Sequence, residues 1–135
     1  MIQPEVITKK PSPRRKPLVY VVDDEAMLLE LATVILQPLG CEVCTFADPE
    51  AALIAFTQAQ PRPDLLITDY AMHSLNGMEL IQECRCVEPA QKILLLSGTV
   101  GVEIFRGVPA KPDKFLAKPY RAAQLAQIVS DLLAG

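Results

Sequence analysis

Five short runs rich in β-branched residues and leucine alternate with segments of helical spacing, and this alternation constrains the fold of the 135 residues more than any other feature. PLVYVVDD, from Pro17, leads into EAMLLELATVILQPLG, where Leu28, Leu31 and Ile35 recur at helical spacing until Pro38 and Gly40 end the helix. CEVCTFAD alternates as a strand does. Asp48-Pro49 then supplies a cap and a proline at the first helical position, opening a helix with Ala52, Ala55, Phe56 and Ala59 inward. DLLITD, QKILLLSG and DKFLAKP are the remaining strands. GMELIQECRCVEP is the third helix, and RAAQLAQIVSDLLAG is the last, with Leu125, Ile128, Val129 and Leu132 on one stripe.

The pattern is (βα)5. Strands 1, 3 and 4 are near-continuous apolar runs, as parallel strands covered on both faces are. The expected architecture is therefore a doubly wound α/β domain, with a five-stranded parallel sheet in the order 2-1-3-4-5 as a flavodoxin-like three-layer sandwich. A chain of this length buries one ordinary core. No apolar run approaches the roughly 20 residues of a membrane span, and the amino end lacks the apolar stretch and cleavage site of a signal peptide, so a cytoplasmic protein is expected.

Charge divides the chain. Residues 1–17 hold Lys9, Lys10, Arg14, Arg15 and Lys16 against Glu5, a net of +4, which leaves the remainder at −7 of the total −3. Four prolines and the absence of apolar periodicity make residues 1–17 a disordered basic arm, and 18–135 the folded domain. A solvated leader is favoured for the arm over a nucleic-acid-binding element.

In a doubly wound sheet, ligands bind beyond the carboxyl ends of the strands. Asp23 and Asp24 follow strand 1, Asp69 follows strand 3, Ser97 follows strand 4 and Lys118 follows strand 5. Three carboxylates in one pocket repel one another unless cations compensate. Lys118 supplies one fixed charge, and an all-oxygen carboxylate site suits Mg²⁺ as the further cation. Asp69 is then placed as a nucleophile toward phosphorus, with Lys118 and the Ser97 hydroxyl on the transferring oxygens. Taken singly, the acid pair could simply cap a helix, Asp69 a loop, and Lys118 could be a solvated surface residue. It is their joint occurrence at one sheet edge that makes a site.

At these residues the chain resembles the receiver domain of two-component response regulators. VVDDE is similar to the family's acid pair, LLITDYAM to its phosphoacceptor segment with Gly77 eight residues beyond Asp69, LLLSGT to its switch hydroxyl and FLAKP to its lysine-proline signature. The resemblance spans about Leu18 to Leu133. It implies that Asp69 accepts a phosphoryl group and that Asp24, Asp69 and the Ala71 carbonyl ligate Mg²⁺, with Asp23 supporting them from behind. It further implies that Ser97 and Phe115 form a switch pair, with a cis bond between Lys118 and Pro119. The implied partners are a histidine kinase or histidine phosphotransfer protein and an output partner that the residues do not name. Dimerisation through the fourth and fifth elements is common in the family. The implied domain is no enzyme beyond its own phosphorylation and slow dephosphorylation. A phosphohydrolase of similar sheet would carry an acid two residues past the nucleophile, where this chain has Ala71. The alternative is a degenerate receiver serving as a phosphorylation-independent docking module.

Three features depart from the family or from convention. His73, the only histidine, stands where the family usually has proline, and is expected to be an exposed loop residue. Ala71 cannot hold a water, so the phosphate lifetime is expected to depend on water access. The segment TVGVEIFRGVPAKPDK contains Gly101, Gly107, Pro109 and Pro112, which predicts a short or mobile fourth helix and an unusual output surface. Cys41 and Cys44 form C-x-x-C, and Cys84 and Cys86 form C-x-C. Their geometry on a strand and a helix sends each pair apart, so reduced thiols rather than zinc are expected.

Overall fold

Each strand is short because the sequence allows only about five residues of uniform β character before a polar or turn residue intervenes. The computed structural model describes residues 15–98 and 110–135. Its strands are β1 (Leu18–Val22), β2 (Glu42–Phe46), β3 (Leu65–Asp69), β4 (Ile93–Ser97) and β5 (Lys114–Ala117), all parallel in one sheet of order β2-β1-β3-β4-β5. Helices α1 (Ala26–Leu36), α2 (Pro49–Gln58), α3 (Gly77–Val87) and α4 (Ala122–Ala134) cover its faces. The helix expected between β4 and β5 lies outside the described residues, as does the basic arm up to residue 14.

Side-chain alternation along the strands splits the core into two layers. Val19, Val21, Leu65, Ile67, Leu94, Leu96 and Leu116 face α1 and α4, where they meet Leu29, Ala32, Leu36, Leu125, Val129 and Leu132. Tyr20, Val22, Leu66, Ile93 and Leu95 face α2 and α3, packing on Ala52, Phe56, Leu80, Ile81 and Cys84. β1, β3 and β4 are buried almost throughout, whereas β2 and β5 are half-covered edges. This difference in burial matches the continuous apolar runs of the three central strands.

The helix starts are set locally. Asp48 Oδ1 accepts the Glu50 amide at 3.2 Å ahead of Pro49, as the cap requires. α3 opens with a reciprocal capping box: Asn76 Oδ1 accepts from Glu79 N at 2.9 Å, and Asn76 N donates to Glu79 Oε1 at 2.8 Å. α1 ends through a 3-10 turn, Gln37–Leu39, and Gly40 at φ 88° takes the left-handed conformation that reverses the chain.

α1 does not bury the stripe expected of it. Leu29, Ala32 and Leu36 form its inward face, with Ile35 beside them, while Leu28 is half-buried and Leu31 is 43 % exposed. The reason is composition: AMLLELATVIL is apolar at almost every position, so spacing alone cannot select a face. α2 buries Ala52 and Phe56 of its expected stripe, with Ala55 half-buried and Ala59 just past its end, and α4 buries Leu125, Val129 and Leu132 with Ile128 half-buried beside them.

Residues 15–17 are tied to the body. Asp64 accepts two bonds from the Arg15 guanidinium at 3.2 Å each and one from the Leu18 amide at 2.8 Å, and the Pro17 carbonyl accepts from Glu42 N at 2.8 Å. No helix among the described residues is long and apolar enough to cross a membrane.

Candidate functional site

Parallel strands deliver their last residues to one edge of the sheet, which turns residues distant in sequence into neighbours. Asp69 ends β3 and Ser97 ends β4, while Asp23 and Asp24 follow β1, and Lys118 follows β5. The pairing of Ser97 with Ala117 and the bond from Lys118 N to the Ser97 carbonyl, 2.9 Å, carry Lys118 into the edge. The Lys118–Pro119 peptide is cis.

Lys118 Nζ lies 2.9 Å from Asp69 Oδ1 and 3.3 Å from Asp23 Oδ2. Both carboxylates are buried, Asp23 to 3 % and Asp69 to 7 % exposure. Asp23 is held further by the Glu25 amide, which donates to its Oδ1 at 3.0 Å. Burial pushes the Asp69 carboxyl above its ordinary value; Lys118 pulls it down and Asp23 pushes it up again, leaving it raised. Burial likewise opposes the charge on Lys118, yet the hydrogen bond it donates to Asp69 and the field of Asp23 outweigh it and hold the ammonium's pKa up. The group is a carboxylate-rich site neutralised only in part by its lysine.

Asp23, Asp24 and Asp69 can each present an oxygen such that all three lie within 4.8 Å of one another. Above them opens a pocket of about 470 Å³ lined by Asp24, Glu25, Asp69, Ala71, His73, Ser97, Gly98 and Lys118. An all-oxygen, partly solvated donor set of this kind suits a hard divalent ion. His73, 90 % exposed at its side chain, brings Nε2 to 3.4 Å from Asp24 Oδ2.

Gly77 lies outside the pocket lining but controls the site from below. A Cβ there would stand 2.5 Å from the Asp69 carbonyl oxygen, 2.8 Å from Leu95 Cδ1 and 2.9 Å from Tyr70 Cα. Only glycine lets α3 begin directly against the end of β3, and the Gly77 amide donates to the Tyr70 carbonyl at 2.7 Å across that contact. Phe115 is also apart from the pocket: it pairs with Leu95 in the sheet and packs half-buried against the α2–α3 layer. Glu25 and Gly98 line the pocket and were not singled out by the sequence, although each adjoins a residue that was.

The cysteines do not enter the site. Cys41 belongs to the α1–α4 layer and Cys44 packs on the α2–α3 layer, while Cys84 is buried and Cys86 exposed, all as free thiols. The metal-ligand grouping found among the described residues contains no cysteine.

A doubly wound parallel domain with an acidic, lysine-bearing pocket at its strand ends is the architecture of a signalling receiver rather than of a nucleotide-binding dehydrogenase. The chain belongs to the response regulator receiver domain family, whose profile matches residues 19–130. Among curated relatives it is 32 % identical over 118 residues to the transcriptional regulatory protein PrrA of Mycobacterium bovis, covering 87 % of this chain and 50 % of PrrA. It is 28 % identical over 107 residues to the DNA-binding response regulator MtrA of Mycobacterium tuberculosis, covering 79 % of this chain and 46 % of MtrA. The chain thus spans about half the length of the curated relatives it matches. Among solved structures it is similar to the response regulator TrrA of Thermotoga maritima in complex with Mg²⁺-BeF, with a TM-score of 0.74 and 30 % identity over 86 % of this chain and 98 % of that one.

Proposed function

We propose that this receiver accepts a phosphoryl group on Asp69 from the phosphohistidine of a histidine kinase or histidine phosphotransfer protein, and that the modification controls an output partner. The observation carrying this reading is the Lys118 ammonium 2.9 Å from Asp69 Oδ1, inside a pocket wide enough for a phosphoryl group. Asp24 and Asp69, with the Ala71 carbonyl, would hold Mg²⁺, and Asp23 would steady both them and Lys118 from behind. Bound there, Mg²⁺ supplies positive charge to the transferring phosphoryl oxygens.

The chain's own groups account for the rest. An Asp69 oxygen attacks phosphorus; the new O–P bond forms as the donor's N–P bond breaks, and the imidazole nitrogen keeps the electron pair. Lys118 follows the charge from the carboxylate to the phosphoryl oxygens, a fixed cation needing no reorganisation. The Ser97 hydroxyl, at the end of the neighbouring strand, donates to one of those oxygens. Movement of Ser97 is proposed to reach Phe115 one strand away, on the α2–α3 side of the sheet, which is how the site would bias the surface around β5. The proposed organisation has the receiver domain at 18–135 behind a basic arm at 1–17, in the cytoplasm.

The test is the intact mass after incubation with acetyl phosphate, with and without Mg²⁺, beside Asp69→Ala. One acid- and base-labile phosphoryl group, dependent on Mg²⁺ and absent from the variant, is the expected result. A folded protein that gains no mass would mark the chain as a docking module instead.

A further inference from the structure

We infer that His73 is a nitrogen donor to the divalent cation of this pocket, and that it moves the site's preference from Mg²⁺ toward imidazole-binding first-row dications such as Mn²⁺ and Ni²⁺. The inference rests on the reading of Asp24 and Asp69 as cation ligands. Three observations carry it. His73 and Asp24 line the same pocket, and their Nε2 and Oδ2 atoms are 3.4 Å apart. Two ligand atoms sharing one octahedral ion at bonds of about 2.1 Å stand roughly 3 Å apart along an edge, so this pair already has nearly that spacing.

The second observation is the loop that holds the imidazole. Leu75 N donates to the His73 carbonyl at 2.6 Å and Ser74 takes φ 61°, so the chain folds back on itself immediately after His73 and leaves that residue at the pocket rim. Left-handed backbone at a residue other than glycine is uncommon and costs about 1 kcal/mol or more, so the turn that places His73 at the rim is a specific feature of this loop. The third is exposure. With 90 % of the side chain in solvent, the imidazole has little packing to lose on joining an ion.

The chemistry sets the direction. Three carboxylates alone form a hard oxygen site that discriminates poorly among dications of similar size. An imidazole adds little for Mg²⁺, which prefers oxygen and keeps its waters, and adds progressively more from Mn²⁺ to Ni²⁺. If the contact were only an ion pair competing for Asp24, removing His73 would strengthen every cation equally and leave their ratio unchanged.

That contrast is the experiment. The untagged full chain and its His73→Ala and His73→Pro variants are titrated calorimetrically with Mg²⁺, Mn²⁺ and Ni²⁺, with Asp69→Asn as the control that removes the carboxylate site. Bound Mn²⁺ is also examined by pulsed electron paramagnetic resonance for ¹⁴N coupling. Because His73 is the only histidine, an imidazole signal has one source. The expected result is a Ni²⁺-over-Mg²⁺ preference that falls about tenfold in both variants, with ¹⁴N coupling lost. Cation binding that survives in the variants with an unchanged ratio, or wild-type Mn²⁺ lacking ¹⁴N coupling, would overturn the role of His73 and leave the carboxylate site standing. No binding by the wild type, or binding that Asp69→Asn does not weaken, would overturn the carboxylate site and this inference with it.

Discussion

One ammonium serves two buried carboxylates: Lys118 Nζ is 2.9 Å from Asp69 Oδ1 and 3.3 Å from Asp23 Oδ2. The lysine is therefore a structural counter-charge before it is anything else, and the site is unbalanced toward negative charge without a further cation.

Removing either side of this pair has opposite consequences. Lys118→Met leaves two buried carboxylates uncompensated and is expected to lower stability by about 3 kcal/mol. Asp69→Asn removes the carboxylate that burial most opposes and is expected to raise stability by about 0.5–2 kcal/mol in metal-free buffer. The sign of the pH dependence follows from the raised Asp69 value. A carboxyl with a raised folded pKa destabilises the fold above that value, so the advantage of the Asn variant is full near neutrality and shrinks as pH falls. Urea denaturation of the three proteins between pH 4 and 7 measures both effects; an Asn variant less stable than wild type at neutral pH would refute the account.

Gly77→Ala places a methyl 2.5 Å from the Asp69 carbonyl and 2.8 Å from Leu95 Cδ1. Neither the backbone at the end of β3 nor the fully buried Leu95 can retreat cheaply. We expect a loss of about 1–3 kcal/mol and a slower phosphorylation rate, because the displaced atom belongs to Asp69, the proposed phosphoacceptor. Thermal unfolding together with the acetyl phosphate rate reads the two consequences; a variant matching wild type in both would show that α3 can shift freely.

Arg85 holds the far end of the sheet. Its Nε donates to the Gln91 carbonyl at 2.9 Å, Nη1 to the Lys111 carbonyl at 3.0 Å and Nη2 to Asp113 at 3.0 Å, while Asp113 also accepts the Ile93 amide at 2.7 Å. One guanidinium thus fixes the entry to β4 and the return toward β5. Arg85→Ala is expected to cost about 2–3 kcal/mol, and Arg85→Lys to recover little of it, since an ammonium cannot span three acceptors in a fork. Glu88→Gln, which breaks the exposed 3.6 Å pair with Arg62, serves as the comparison and is expected to cost under about 1 kcal/mol. Chemical denaturation that ranks the two sites equally would remove this role from Arg85.

Burial pushes the Cys84 thiol up to about 12, while the thiol of an unfolded chain ionises near its ordinary value. Below about pH 9 both states keep the proton and the thiol leaves stability unchanged; as pH rises from there toward 12 the unfolded state alone releases it, and stability falls by about 1.4 kcal/mol per pH unit. The alkaline slope of wild type should therefore exceed that of Cys84→Ala. A thiol reagent should label exposed Cys86 well before Cys84. Equal slopes, or early labelling at Cys84, would contradict its burial.

The strands, their order and the polar residues at their ends were legible because each depends on a local pattern. A run such as LLITD can satisfy its backbone and side chains only inside a parallel sheet, and such a sheet aligns its carboxyl ends whatever lies between the strands. That is why Asp23, Asp24, Asp69, Ser97 and Lys118 can be grouped from the sequence. The buried face of α1 was not legible, since a helix apolar on nearly every side leaves the choice to its neighbours: Leu29 and Leu36 went inward, and Met27 and Val34 stayed exposed.

Arg85 and His73 mark the same boundary on the polar side. Nothing in ECRCV says that its arginine will reach residues 26 and 28 positions away, and nothing in YAMHSL says that its histidine will turn back toward Asp24. The sequence by itself determined which segments are strands and helices, and which charges stop at the edge of the sheet, because hydrophobic period and turn chemistry act over a few residues. Only the tertiary structure decided which of those charges touch, because a contact between distant residues is fixed by packing and register, and no local preference encodes it.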